Sequence, residues 1–467
     1  MPWPKGEFFH CAALDDNVRA ELIEEAKMAC KYLVVNATTA DSAPIDSVVV
    51  NVKTGRHATL RRVKDKVDAS LDGMVAHTRV RATIDEVSDF FYVDSHAKGQ
   101  LVSRVMGDRV VDRTRLYSLV ERPIVEAASQ PLHYVGVEWA LQKHPNIPAR
   151  DTCCLDYQDE FSFMDQTTGD ERRGWARCTH SVDIDACPDL EKQFGVIRAT
   201  VVRSGHVFLE STDSGMLDYF RVLFVDPGGA ILKRFAPLVH KNIVKPYGLA
   251  VLNLEEHFVK QRMKPMLDMP SHFKEKKEID YCMQCYGRFK WMSVKKQCRS
   301  CGDVVCHKCS SVWAIDLDMV TSVKVDLCQE CVTGEPKRPP RETAATSSMS
   351  FPSGGGYVHN PTRPHSYRTS MYRPTGEFQP AAMPHQGNQH TAHHMHLPQR
   401  SISAGQAPIA AIHNNVCPPM LGENEGDDLD SDIHILSPDQ WRRSSSMASS
   451  IQDGTLTLRS DSSSIYL

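Results

Sequence analysis

Apolar residues change their spacing along this chain in a way that separates helices from strands. Val18, Leu22, Ala26, Cys30 and Leu33 recur every three or four positions after Asp15 and Asp16, two good helix-capping residues, so an amphipathic helix opens the first domain. Residues 47–82 then carry short strand-like runs, "SVVVNV", "HATLRRV" and "MVAHTRVRA". Thr83 and Glu86 stand in capping-box spacing and start another helix. From 132 onward the strand pattern returns in "LHYVGVEWAL", "CCLDYQDEFSF", "GWARCTHSVDI", "VIRATVVRSGHVFLES" and "MLDYFRVLFV", and the turn residues "DPGG" at 226–229 close the series. Ile243, Tyr247, Val251, Leu254 and Phe258 mark one face of a terminal helix, which Pro246 either begins or kinks.

A helix, many antiparallel strands and a final amphipathic helix predict an α+β domain with a curved antiparallel sheet wrapped on its C-terminal helix. This order resembles the START-like, helix-grip lipid-transfer fold, most clearly in "FGVIRATVVRSGHVFLESTDSGMLDYFRVLFVDPGGAILKRF". The resemblance implies one apolar lipid enclosed between sheet and helix. Val135, Val137, Trp139, Tyr219 and Val222 are read as plain core, and Cys153, Cys154, Cys178 and Cys187 as ordinary thiols.

Composition divides the chain of 467 residues into three: a START-like domain with its N-terminal helix at 1–268, a cysteine-dense unit at 269–335, and a Pro-, Ser- and His-rich tail at 336–467 expected to be disordered. A formal net charge of −4 gives no global polycation, so nucleic acid is not an expected partner. The N-terminal "MPWPKGEFFHCAALDD" has no basic stretch followed by an apolar one, and no run of about 18 apolar residues occurs, so a cytoplasmic protein is expected.

Eight of the 15 cysteines form four Cys-x-x-Cys pairs, with gaps of twelve, four and eighteen residues between successive pairs. Zinc wants four soft ligands in a tetrahedron, so eight thiolates satisfy two ions. The four-residue gap makes it awkward for the second and third pairs to close on one ion. Interleaving follows: Cys282, Cys285, Cys306 and Cys309 on the first zinc, and Cys298, Cys301, Cys328 and Cys331 on the second. With every position filled by thiolate, both zinc ions are expected to be structural.

The segment "CRSCGDVVCHKCS" and these gaps resemble the FYVE zinc finger. The resemblance implies binding to phosphatidylinositol 3-phosphate on endosomes, through motifs that this chain keeps only in part. The family's Arg-Arg/Lys-His-His-Cys-Arg becomes Val294, Lys295, Lys296, Gln297, Cys298 and Arg299; its Arg-Val-Cys becomes Asp326, Leu327 and Cys328; its Trp-x-x-Asp becomes Phe273 to Lys276. Lys295, Lys296 and Arg299 are the remaining headgroup-binding candidates, and Asp326 brings negative charge toward the phosphate position. In "FKWMSVKK", Trp291 and Met292 stand where the family has its membrane-inserting loop. RING fingers also interleave two zincs, but with closer middle ligands that normally include histidine.

In the tail, His385, His390, His393, His394 and His396 form a low-complexity tract, and "QRSIS" and "WRRSSSMASS" place serines after arginine, as basic-directed kinases prefer. No nucleophile, base and orienter stand at recognisable spacing, so no catalytic residue is assigned. The expected protein is a non-enzymatic membrane adaptor, peripheral on endosomal or other anionic membranes; its domain order resembles that of START-like plus FYVE proteins of oomycetes. The competing expectation is a protein-interaction scaffold with a structural zinc finger and no lipid binding.

Overall fold

The computed structural model describes residues 4, 8–123, 130–144, 147–165, 168–229, 246, 250–268, 273–317, 321–334, 433–438 and 440. Helix α1 (Asp16–Thr38) starts at Asp15, whose carboxylate accepts the Asn17 N–H at 2.9 Å. Its buried stripe runs through Leu22, Ala26, Cys30 and Leu33; Val18 is exposed, because the first turn precedes the part of the helix that meets the sheet. Strands β1 (Ile45–Asn51), β2 (His57–Lys64) and β3 (Asp72–Val80) follow. Helix α2 (Ile84–Phe91) opens on the anticipated capping box, with Glu86 N–H to Thr83 Oγ1 at 3.1 Å and Thr83 N–H to Glu86 Oε2 at 2.8 Å.

Helix α3 (His96–Met106) and strand β4 (Val110–Val120) have no counterpart in the elements drawn from the sequence. Their signals were present: Ser95 caps the helix, and Gly107 ends it in the left-handed conformation with φ 67°. Strands β5 (Tyr134–Gln142), β6 (Arg150–Met164) and β7 (Glu171–Ser181) follow as expected. The run 196–211, expected as one strand, is instead broken after the short helix α4 (Glu191–Phe194) into β8 (Ile197–Arg198), β9 (Thr200–Val201) and β10 (Ser204–Glu210). The cause is backbone geometry. Arg203 has φ 42°, and a Cβ on Gly205 (φ 147°) would meet the Arg177 carbonyl oxygen at 1.9 Å. The Arg203 guanidinium is held by Asp65, with Nε to Oδ1 at 3.0 Å, while Asn36 Nδ2 donates to the same carboxylate at 2.7 Å. Strands β11 (Leu217–Leu223) and β12 (Val225–Asp226) end the series.

The main sheet runs β1-β2-β3-β11-β10-β7-β6-β5-β4, antiparallel at each of these pairings. Its outer face packs on α1 through Val135, Val137, Trp139, Leu155 and Cys178. The inner face packs on α2, α3 and the last helix α5 (Val251–Met263) through Trp175, Phe208, Tyr219, Phe91, Leu254 and Phe258. The five residues read as plain core are all buried, as are Cys153, Cys154, Cys178 and Cys187. Of the terminal-helix stripe, Val251, Leu254 and Phe258 are buried on α5; Ile243 and Tyr247 lie outside the described residues. An antiparallel sheet gripping a C-terminal helix is the START-like architecture.

A second unit follows α5. Its short strands β13 (Lys295–Gln297) and β14 (Val304–Cys306) form one ribbon and β15 (Ser310–Asp316) and β16 (Ser322–Cys328) another, before helix α6 (Gln329–Thr333). Its core contains Trp313, Ile315, Leu327 and Val332 together with Val259 and Met263 of α5, so one helix serves two cores. Lys53 Nζ lies 4.3 Å from the centre of the Trp313 ring, and Arg56 Nη2 donates to the Thr333 carbonyl at 3.2 Å. In the tail, expected to be without structure, Ile433–Leu436 form strand β17 against β1. The histidine tract and the serines at 401, 403 and 444–446 lie outside the described residues.

Candidate metal centres, membrane loop and lipid cavity

The fold gathers the eight finger cysteines into the two interleaved sets: Cys282, Cys285, Cys306 and Cys309, and Cys298, Cys301, Cys328 and Cys331. Within each set all four sulfurs lie within 4.8 Å of one another. Backbone N–H groups point at them, from Cys306 to the Cys282 sulfur at 3.2 Å and from Cys328 to the Cys298 sulfur at 3.3 Å. Such donors stabilise thiolate rather than thiol. Gly302, with φ 75°, turns the second knuckle back so that its N–H reaches the Cys298 carbonyl at 2.9 Å. All-thiolate donor sets with this N–H support fit two structural zinc ions, which supply cross-links and no open coordination position.

The loop between Lys290 and Val294 projects from this unit. Trp291 is 97% exposed, Met292 80% and Val294 63%. The turn is closed at its base by Ser293 N–H to the Lys290 carbonyl at 2.8 Å and Lys290 N–H to Ser293 Oγ at 2.9 Å. Phe289, one position before, instead packs on the finger core. The chain therefore holds a large aromatic side chain in water beside Lys290 and turns its neighbour inward.

The three headgroup candidates are close together but engaged within the molecule. Lys295 Nζ donates to the carbonyls of Lys276 at 2.9 Å and Ile279 at 2.7 Å and sits 5.4 Å from the Phe289 ring centre. Lys296 Nζ pairs with Asp326 at 3.1 Å. Arg299 Nη2 donates to the Leu267 carbonyl at 2.8 Å, and its guanidinium lies 6.0 Å from the ring centre of Phe273, half exposed. Asp326 thus engages Lys296, one of the three headgroup candidates.

On the inner face of the START-like sheet, register aligns Gln158, Arg177, His206 and Arg221 in one row across β6, β7, β10 and β11, with Tyr134 of β5 at its end. Arg177 makes a buried pair with Asp156, Nη2 to Oδ2 at 2.6 Å and Nε to Oδ1 at 3.0 Å. Arg221 Nη2 reaches Asp108 at 2.8 Å, and His206 Nδ1 is 2.8 Å from Tyr219 Oη. Burial, reinforced by Arg221 and Arg177, pushes the His206 pKa well below its ordinary value, so the imidazole is neutral. Composition and strand pattern did not show this charged row, because each member lies on a different strand.

Next to the row, a cavity of ≈ 310 Å³ opens between α3 and strands β4 and β5, lined by His96, Gln100, Ser103, Arg113, Arg115 and Glu138 among others. The Glu138 carboxylate is 3.9 Å from both Arg113 Nε and Arg115 Nε, beyond hydrogen-bond reach. Burial and then Asp156 raise its pKa, against Arg113, Arg177 and Arg115. Arg113 Nη1 and Tyr134 Oη are buried without a hydrogen-bond partner. Gly136 makes room for that hydroxyl, since a Cβ there would meet it at 2.2 Å.

These features define a class: a START-like helix-grip domain joined to a two-metal cysteine finger. The finger is the better marked half, and residues 272–335 match the family model described as the FYVE zinc finger. No curated protein matches the chain by sequence. Among solved structures it is similar to human StAR-related lipid transfer protein 5 (12% identity, TM-score 0.34, covering 50% of this chain and 99% of that one). It is also similar to the human StarD13 (DLC2) lipid transfer and protein localization domain (14%, 0.26, 51% and 95%) and to human STARD10 (14%, 0.28, 54% and 85%). Among the described residues no helix is long and apolar enough to cross a membrane.

Proposed function

We propose that this protein is a non-enzymatic adaptor that docks on anionic membranes through its finger and holds a lipid in its START-like domain. Cys282, Cys285, Cys306 and Cys309 hold one zinc and Cys298, Cys301, Cys328 and Cys331 the other, which sets the Trp291 loop on a rigid base. The observation that carries the reading is the 97% exposure of Trp291 beside exposed Met292. An aromatic ring flanked by lysine is at home at headgroup depth, where its apolar body leaves water while its N–H stays hydrated. Endosomal placement belongs to this reading.

Lys295, Lys296 and Arg299 contribute attraction to anionic headgroups once their internal partners are exchanged for lipid. Asp326 opposes tight binding of a 3-phosphate, since it must give up Lys296 and stay near the incoming charge. In the START-like domain, Arg113, Arg115 and Glu138 line the cavity and favour a lipid with a polar head.

The test is sedimentation of the full chain with vesicles of neutral lipid, of neutral lipid plus phosphatidylserine, and of neutral lipid plus phosphatidylinositol 3-phosphate. Binding to both anionic vesicles is expected, with a loss of about tenfold or more in Trp291→Ala/Met292→Ala at unchanged zinc content. Absence of binding to every anionic vesicle would leave the zinc-finger scaffold reading in its place. Asp326→Asn is expected to tighten binding to the phosphoinositide vesicles by several-fold, because one freed cation near an anionic surface contributes about 1 kcal/mol; unchanged binding would remove Lys296 from the headgroup site.

A further inference from the structure

The sheet's β1 margin shows what its open edge accepts. β1 pairs with β2 on one side, and on the other with β17, in the register Val48↔Leu436, Val49↔Ile435, Val50↔His434 and Asn51↔Ile433. Without β17, this strand would present a row of unpaired backbone groups beside Val48 and Val49, both fully buried. Asn51 N–H donates to the Arg56 carbonyl at 2.8 Å, so Asn51 and Val49 turn their polar backbone groups toward β2. Alternation then directs the N–H and C=O of Val48 and Val50 toward β17, opposite Leu436 and His434. Just past the strand, Ser437 N–H donates to Gln440 Oε1 at 2.8 Å and Gln440 N–H to Ser437 Oγ at 3.2 Å, which turns the chain off the edge.

We infer that the free edge of β1 is a docking site for an extended apolar peptide and that this chain's own segment 433–436 is its resident occupant. The chemistry is strand addition: backbone hydrogen bonds supply binding, and alternate side chains supply selection. The pairing spans four residues and joins positions far apart in the sequence, so chain-closure entropy opposes it. A competing strand of similar pattern can therefore take the edge when the tail leaves.

The register predicts opposite outcomes for neighbouring prolines. His434→Pro removes a donor that faces β1, whereas Ile435→Pro removes one that faces away, a place where edge strands tolerate proline. Hydrogen exchange on the full chain is expected to show Val48 and Val50 amides protected in the wild type and at least tenfold faster in His434→Pro, with Ile435→Pro close to wild type and the amides of β6 and β7 unchanged in all three. A synthetic peptide of residues 430–440 should restore protection to His434→Pro. Equal exchange at Val48 and Val50 in wild type and His434→Pro would overturn the pairing. Failure of the peptide to restore protection would overturn the docking site. Protection that grows with protein concentration would name a second copy's tail as the occupant and overturn the assignment to the chain's own segment.

Discussion

Removing zinc is expected to destabilise the START-like domain as well as the finger. α5 faces two ways: Val251, Leu254 and Phe258 lie in the inner-face core, while Val259 and Met263 lie in the finger core with Trp313, Ile315 and Leu327. Structural zinc supplies roughly 10–16 kcal/mol to small finger peptides, more than such a unit gains from its few apolar residues, so chelation unfolds the finger. Val259, fully buried, then meets water on the helix that the sheet grips. Exposing one such side chain costs about 1.5–3 kcal/mol, which for a domain of this size corresponds to a fall of about 4–10 °C in Tm. Calorimetry of the zinc-loaded protein with and without chelator reads this directly, and Cys298→Ser should reproduce the shift. A START-like transition at the same temperature in both samples would mean that the two cores are energetically independent.

Asp156→Ala is expected to destabilise the START-like domain by about 3–5 kcal/mol, because it leaves the Arg177 guanidinium buried without its carboxylate. The two side chains are only 7% and 2% exposed, so water cannot replace the lost partner. Replacing both, Asp156→Leu with Arg177→Met, should cost less than the single change, since it removes the charge that needs solvation. The partly exposed pair Arg173–Glu160 makes the contrast: its N–O distance is a similar 2.7 Å, yet its loss should cost no more than about 1 kcal/mol. Denaturant unfolding of the variants checks the order. A single Asp156→Ala variant within about 1 kcal/mol of wild type would show that the row relaxes or hydrates when broken.

The features legible in the linear chain are those whose cause is local. Thr83 and Glu86 are three residues apart and cap one helix whatever surrounds them. The Cys-x-x-Cys pairs are short enough that their gaps alone restrict how two tetrahedral ions can be shared, and the two sulfur sets of the fold are the interleaved ones. The stripe of α1 follows from its one buried face, whereas β5, β6 and β7, buried on both faces over most of their length, are legible as runs of strand-forming residues. Arg203 departs because its positive φ is held by the distant Asp65 and by the close approach of Gly205 to Arg177, neither of which a strand pattern encodes. α3 is bounded by local signals as well, Ser95 at its start and Gly107 at its end.

Long-range pairing settled the rest. Sequence places Trp291 in a loop by resemblance alone, and it is the packing of Phe289 and Trp313 into the core that leaves it outside. Lys296 reads as a free cation until β13 and the Asp326 of β16 are brought side by side. The charged inner row draws one residue from each of several strands, and β17 finds β1 across nearly the whole length of the chain. Spacing and periodicity act over a few residues and specify elements and metal ligands. Which side chains are exposed, neutralised or shared between two cores depends on contacts between residues far apart, and those exist only once the chain has folded.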